Sequence, residues 1–414
     1  MKPIKDSVHD YIALGPEAEA LVDTPTVQRL RHVKQLSTVR LVFPAANHTR
    51  FEHSLGVYHL ADTAIGHLDV DADTAAHLRA AALLHDVGHG PYGHQTEEVI
   101  HRRTGNDHDD VGWLLTDPDR PVCQALEGLD LDPERVATLV AGEGRLGSLV
   151  SGELDVDRMD YLSRDAHHTG VPYGAIDHGR LVRELRLENG HLALGEGNVA
   201  TAESMLFSRA LMNAIVYRHH VSRIAGAMLD RACEQYLDAT ETGIESFRRM
   251  ADHDLLVALA EHVPTLGRRL EHRDLYKRAV WTGIENVPRE ITDVDYEDER
   301  QAEREIAEAA GVDPAAVIVD IPDRPRLKES STSVVVDGVV QQLEDASELV
   351  RGIRMAERAR WRLGVYAPEE QTQSVERAAR DVLGLRRYRE TSGRPARGSP
   401  APYRSCRWRR GTSR

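Results

Sequence analysis

Residues 73–85, DTAAHLRAAALLH, read as a helix with a wide apolar face that closes in Ala-Leu-Leu before His85, and Asp86 follows it directly. An apolar face that wide belongs to a helix buried in a core. The buried end carries His85 and Asp86 into a low dielectric, where polar groups need partners. Other segments must therefore bring complementary groups to that end. The segment LLHDVGHGPYGH (83–94) adds His89 and His94, with Gly88, Gly90 and Gly93 giving the backbone a tight path. His53 lies one helix earlier, in TRFEHSLG, and Asp157 one or two helices later, in ELDVDRMDYLSRDAHHTG.

The periodicity predicts a mainly α chain. Residues 51–68 and 73–85 each read as one long helix, and further helices are expected at 153–166, 202–219 and 220–238. Pro25 suits the first position of a helix behind a capping residue in Asp23-Thr24. Val27, Leu30, Val33 and Leu36 continue a three-residue apolar rhythm. Strand signals are scarce before about residue 280. Beyond it, AAVIVDIP (315–322), SSTSVVVDGVV (330–340) and WRLGVYAP (361–368) are β-branched runs around helix-like residues 342–351, which reads as a small α/β region. The acidic stretch 289–304 is expected to be a linker or exposed loop. Residues 386–414 lack periodicity and are expected to be disordered. The chain divides into a helical core at 1–235, a helical then α/β region at 236–385, and a basic tail at 386–414.

Composition excludes several function classes. The chain has 414 residues, 41% of them hydrophobic, enough for two or three domains. Mean hydropathy is −0.44, and no apolar run approaches the ~18 residues of a membrane span. The start, Met1 to Asp6, lacks the apolar stretch of a signal peptide. The three cysteines, Cys123, Cys233 and Cys406, lie far apart, which excludes a disulfide scaffold or thiolate zinc site and fits a cytoplasmic protein. No P-loop or dinucleotide-binding glycine motif is present. The net charge is −15, but residues 386–414 hold ten Arg against Glu390, a net +9, so residues 1–385 carry −24. An acidic body does not hold a nucleic-acid backbone by its overall field, and a phosphorylated substrate would have to meet local cations in a pocket.

A His-Asp pair at a helix end is, alone, more often a cap than a ligand pair. Two imidazoles and two carboxylates together suit a divalent ion, Mn, Fe, Ni, Zn or Mg, with no choice among them dictated by sequence. They fill four positions of an octahedron, leaving two open for water and a phosphate oxygen.

The series His53, His85-Asp86 and Asp157 is an H…HD…D signature, and on it the chain resembles the HD-domain phosphohydrolases. More narrowly, it resembles the deoxynucleoside triphosphate (dNTP) triphosphohydrolases of that superfamily. The resembling segments are DTPTVQRLRHVKQL (23–36), RFEHSLGV (50–57), LLHDVGHGPYGH (83–94), LDVDRMDYLSRDAHHTG (154–170) and SRALMNAIVYRHH (208–220). They keep the family's order over roughly the first 220 residues. The resemblance implies an HD-domain helical core, His53, His85, Asp86 and Asp157 as metal ligands, and Arg50 at the α-phosphate. It also implies a histidine cluster of His89, His94 and His108 at the scissile bond. His94 fits the general acid for the departing 5′ oxygen, because imidazole holds a proton near neutral pH. Glu97, one helical turn on, fits its orienting partner, and Asp109 would serve His108 in the same way. Arg158, Tyr161, Asp165, Arg209, Tyr217 and Arg218 match positions lining triphosphate, sugar and base. Asp23, Gln28 and Arg31 match an activating-nucleotide site at a subunit interface, and the resemblance implies a homo-oligomer, dimer or tetramer.

The sequence departs from the animal members of the family, with Arg158, Asp109 and Arg218 standing where those have Lys, Glu and Gln. Arg in place of Lys keeps charge on the phosphates and changes geometry. Two other readings share the metal set: a phosphatase or phosphodiesterase acting on other phosphoesters, and a nucleotide-sensing module without turnover.

Overall fold

The computed structural model describes residues 2–188, 191–323 and 333–386, and 19 α-helices lie within them. The helix Arg50–Ile65 starts at Thr49, whose backbone N–H and hydroxyl both donate to Glu52 Oε2 (2.6 and 2.8 Å). This capping box satisfies the helix's first free donors. Twelve of its sixteen residues are buried, so it runs through the core with neighbours on nearly every side. Helix Ala72–Leu84 packs on it, started by Asp71, which accepts the Thr74 N–H at 2.8 Å. Helix Val156–Thr169, capped by Asp155 through the Arg158 N–H (2.7 Å), packs on the same central helix and ends at Gly170.

Three apolar clusters hold the chain together. The largest draws on residues 12–216 together with Val334, Leu343, Val350 and Ile353. A second joins Tyr92, Val99 and Ile100 to helices His220–Ala239, Asp252–His262 and Pro264–Glu271. The third packs helices Tyr296–Ala310 and Thr372–Val382 on a three-stranded antiparallel sheet. There Arg362–Ala367 is the central strand, between Lys277–Gly283 and Ile318–Asp320. A second small sheet consists of two hairpins, Leu185–Glu188 with His191–Leu194 and Ser333–Val336 with Val339–Gln342, joined through Leu194 and Val334. No helix among the described residues is long and apolar enough to cross a membrane.

Several sequence expectations need correction. Strands do occur early: Lys2–Asp6 and Asp10–Leu14 form an antiparallel hairpin in register Asp6↔Asp10, with only Ile12 and Leu14 of its second strand buried. So few inward residues leave no readable alternation. The rhythm Val27–Leu36 is not one helix: the α-helix covers Pro25–Arg29 and a 3₁₀ turn follows at Leu30–His32, before Lys34 bridges to Thr49. Helix Val199–Met212 gives way to a π turn, Asn213–Tyr217, rather than running to 219. The acidic stretch 289–304 is no linker. Asp295 caps the Tyr296–Ala310 helix, and Glu303 points inward, accepting Arg231 Nη2 (2.6 Å) and the Val319 N–H (2.9 Å). A buried carboxylate paired this way reads as solvated from composition alone. The disorder expected of 386–414 falls outside the described residues, apart from Arg386.

Candidate active site

Three helices deliver the metal-ligand candidates to one point. His53 sits in the second turn of Arg50–Ile65, His85 ends Ala72–Leu84 with Asp86 after it, and Asp157 lies in the first turn of Val156–Thr169. His53 Nε2 is 2.8 Å from Asp157 Oδ1 and 3.2 Å from His85 Nε2. Asp86 oxygens lie 3.5 Å from His85 Nε2 and 3.8 Å from His53 Nε2. The far nitrogens are both anchored: His85 Nδ1 donates to the Ala82 carbonyl (2.9 Å) and His53 Nδ1 meets Asp160 Oδ2 (2.7 Å). A carbonyl only accepts, so the Nδ1 proton of His85 leaves its Nε2 lone pair facing the cluster, as a metal ligand requires.

The electrostatics fit a cation. Burial works against charge on Asp86, but Arg50, whose Nη1 lies 2.8 Å away, and the flanking His85 and His89 hold its carboxyl well below the usual range. Burial also opposes charge on His53. Its hydrogen bonds to Asp157 and Asp160 and the Asp86 charge win and push its pKa up to about 10. Three carboxylates thus face two imidazoles in a largely buried site, and the negative excess that holds a proton on His53 is what a divalent ion would neutralise. Arg50 Nε is buried without a partner among the described residues, a donor available to a ligand.

The second cluster adjoins the first. His89 Nε2 lies 3.3 Å from Asp86 Oδ1, and its ring stacks on His108 at 4.0 Å. His94 stands edge-on to both. The stack requires Gly88, because a Cβ there would meet the His108 carbonyl at 2.0 Å. Glu97 divides its carboxylate, Oε2 to His94 Nδ1 (2.6 Å) and Oε1 to His108 Nδ1. It is Glu97, not Asp109, that orients His108; Asp109 makes no hydrogen bond to it among the described residues. Burial would neutralise Glu97, but the two imidazoles hold it far below the usual carboxylate range. Burial likewise disfavours charge on His108, and Glu97 reverses this and raises it. His89 is lowered, by burial first and then by Arg50 and His108. The ring facing Asp86 is thus pushed toward its neutral form, while the one stacked behind it is pushed toward its charged form.

A wall of aromatic and basic groups continues along helix Val156–Thr169. Asp165 is buried with both oxygens engaged, one by His48 Nε2 (2.8 Å) and the other by the Tyr217 hydroxyl (2.7 Å). Tyr217, in the π turn, stands edge-to-face with Tyr161. The charges of Arg209 and Arg158 both bear on Tyr161, and Arg158 Nη1 donates to the Glu153 carbonyl at 3.0 Å. Arg218, next to Tyr217, lines a cavity of about 460 Å³ with His219, His220, Arg223 and Trp281. Farther off, Gln28 Nε2 donates to the Val22 carbonyl and Arg31 Nε to Gln28 Oε1, with Arg31 over the Phe51 ring and Asp23 exposed at the preceding helix end.

Sequence reasoning missed His48, Asp160, Arg164, His9 and Asp6. Asp160 follows Asp157 by three residues and so shares its helix face, a signal that was legible. Arg164, four residues after Asp160, shares that face as well, while His48, His9 and Asp6 carry no such signal.

A helical core that collects His, His-Asp and Asp from successive helices defines an HD domain. The family profile of the HD domain matches residues 50–165, and that of the HD-associated region matches residues 176–393. The chain belongs to the HD-domain phosphohydrolase superfamily. It is 31% identical over 386 residues to an uncharacterized protein of Methanocaldococcus jannaschii, covering 91% of this chain and 81% of that one. It is 26% identical over 394 residues to the deoxynucleoside triphosphate triphosphohydrolase SAMHD1 of Bos taurus, covering 76% of this chain and 67% of that one. A phosphohydrolase of Bacteroides thetaiotaomicron shares the fold with a TM-score of 0.71 at 25% identity, over 89% of this chain and all of that one.

Proposed function

We propose that this protein hydrolyses dNTPs to the deoxynucleoside and inorganic triphosphate, with a divalent metal held by His53, His85, Asp86 and Asp157. The observation that carries the reading is His94, held through Nδ1 by Glu97 beside the ligand set and left with Nε2 free to hand on a proton. A metal in the tetrad supplies Lewis-acid polarisation of the phosphoryl group under attack. Water attacks the α-phosphorus, the bond to the 5′ oxygen breaks, and His94 protonates that oxygen as it leaves; the proton the water gives up passes to solvent, from which the exposed His94 is re-protonated. Glu97 holds the imidazole through Nδ1 and keeps it aligned for this transfer. Arg50, Arg158 and Arg209 supply cations for the triphosphate in a chain whose overall charge is negative. The Tyr161 and Tyr217 rings and Asp165 form the sugar side, where an aromatic ring under C2′ crowds a ribose hydroxyl. The relatedness to SAMHD1, and to a solved phosphohydrolase, supports the reading.

The experiment is product analysis with Mn²⁺ or Mg²⁺, each dNTP supplied alone and then all four together. Deoxynucleoside with intact triphosphate is the expected result, and activity confined to the mixture would identify an activating nucleotide. Release of phosphate or pyrophosphate would replace this reading with a general nucleotide phosphohydrolase.

A further inference from the structure

The N-terminal hairpin lies outside the tetrad, the histidine cluster and the substrate wall, yet two of its side chains reach the layer behind the metal ligands. Asp160, 0% exposed at its side chain, accepts four hydrogen bonds. His53 Nδ1 donates to Oδ2 (2.7 Å) and His9 Nε2 to Oδ1 (2.6 Å). Arg164 contributes Nε to Oδ2 (2.8 Å) and Nη2 to Oδ1 (2.9 Å). The other edge of Arg164 is held by Asp6, with Nη1 2.8 Å from Oδ2. Asp6 also accepts the backbone N–H groups of Val8 and His9 (2.9 and 2.8 Å), which shapes the turn that aims His9 inward. All five side chains are buried.

The room for this network is cut into the central helix. A Cβ on Gly56 would stand 1.9 Å from Asp160 Oδ1 and 2.5 Å from Arg164 Nη2. A carboxylate saturated by four donors has no freedom to rotate, so the ring it grips has one orientation and one tautomer. His9 is separated from Asp160 by 151 positions in the chain, so the hairpin has to dock before that carboxylate is complete.

We propose that the N-terminal hairpin is a positioning element of the metal centre: His9 through Asp160, and Asp6 through Arg164, lock His53 with Nε2 presented to the metal. This rests on the metal reading above. The test titrates the substrate-free full chain with Mn²⁺, followed by electron paramagnetic resonance, with thermal unfolding in parallel. His9→Phe fills the space and removes the donor, and Mn²⁺ affinity is expected to fall about 10–100-fold, the usual effect of losing a ligand's supporting partner. His9→Gln restores an N–H at similar reach and is expected to return affinity close to the unmodified value. Should His9→Phe unfold, His9→Asn, whose amide is too short to reach Asp160, replaces it with the same expectation. Unchanged affinity in the donor-less variant, or equal loss in His9→Gln, would overturn the proposal while leaving the metal reading intact. An unmodified chain that takes up no Mn²⁺ would overturn both.

Discussion

His53, His85, Asp86 and Asp157 are enclosed by three helices, whereas the cluster of His89, His94, Glu97 and His108 opens at one edge, where the His94 side chain is 62% exposed. The residue types are nearly the same, and the hydrogen bonds behind them are not. In the first cluster each imidazole is anchored from outside, by Asp160 or a backbone carbonyl, so that its Nε2 faces carboxylates. In the second, one carboxylate holds two imidazoles by their Nδ1 atoms and, against the effect of burial, raises His108. The first arrangement is suited to a cation, and the second to the proton transfer proposed above. On the proposed function, ligand and acid–base roles follow from the partner of the remote nitrogen and from access to solvent, not from composition.

Four substitutions can break or sharpen that contrast. Asp157→Ala removes a candidate ligand whose side chain is itself partly exposed, so the fold should persist while phosphohydrolysis falls about 10³-fold or more, measured by product release. His94→Ala should slow turnover about 10²–10⁴-fold, read in the same assay, with fold and metal uptake unchanged. Loss of metal in that variant would merge the two clusters into one site. Gly56→Ala drives a methyl into Asp160 and should destabilise the chain by about 3 kcal/mol in denaturant titration. Glu299, which lines the same cavity as His94, is pushed up to about 8 by burial and by the neighbouring Asp320 and Glu303 charges. The folded chain keeps that proton while an unfolded glutamate releases it near 4.5, so stability falls as pH rises from about 4.5 to 8. Glu299→Gln should remove this slope, leaving the variant more stable above pH 8 and equal to the unmodified chain below about 4.5.

Much of the site was legible where chemistry and helical spacing coincide. The apolar run into His85-Asp86 revealed a buried pair, and Glu97 three residues after His94 falls one turn along. Asp109 attracted attention as the neighbour of His108, but adjacent residues on a chain rarely face one another, and the partner proved to be Glu97 from the preceding helix. Helix interiors were readable because their apolar faces repeat. The Asn213–Tyr217 turn was not, since a π turn keeps a helical composition while rotating Tyr217 onto Asp165. His9 and Asp6 sit in a charged hairpin whose strands bury two or fewer alternating residues, and nothing local marks them as belonging with Asp160 and Arg164, more than 100 positions away. Glu303 shows the same limit from the other side. An acidic run reads as solvent-facing until Arg231, from another helix, is found beside it.

The central claim is the division of labour between the two clusters, and metal content per chain tests it most directly. Inductively coupled plasma mass spectrometry on the purified chain, with Asp157→Ala and His94→Ala measured alongside, should find one divalent ion per chain, absent in Asp157→Ala and retained in His94→Ala. Two ions per chain, or one that survives Asp157→Ala and leaves with His94→Ala, would contradict it.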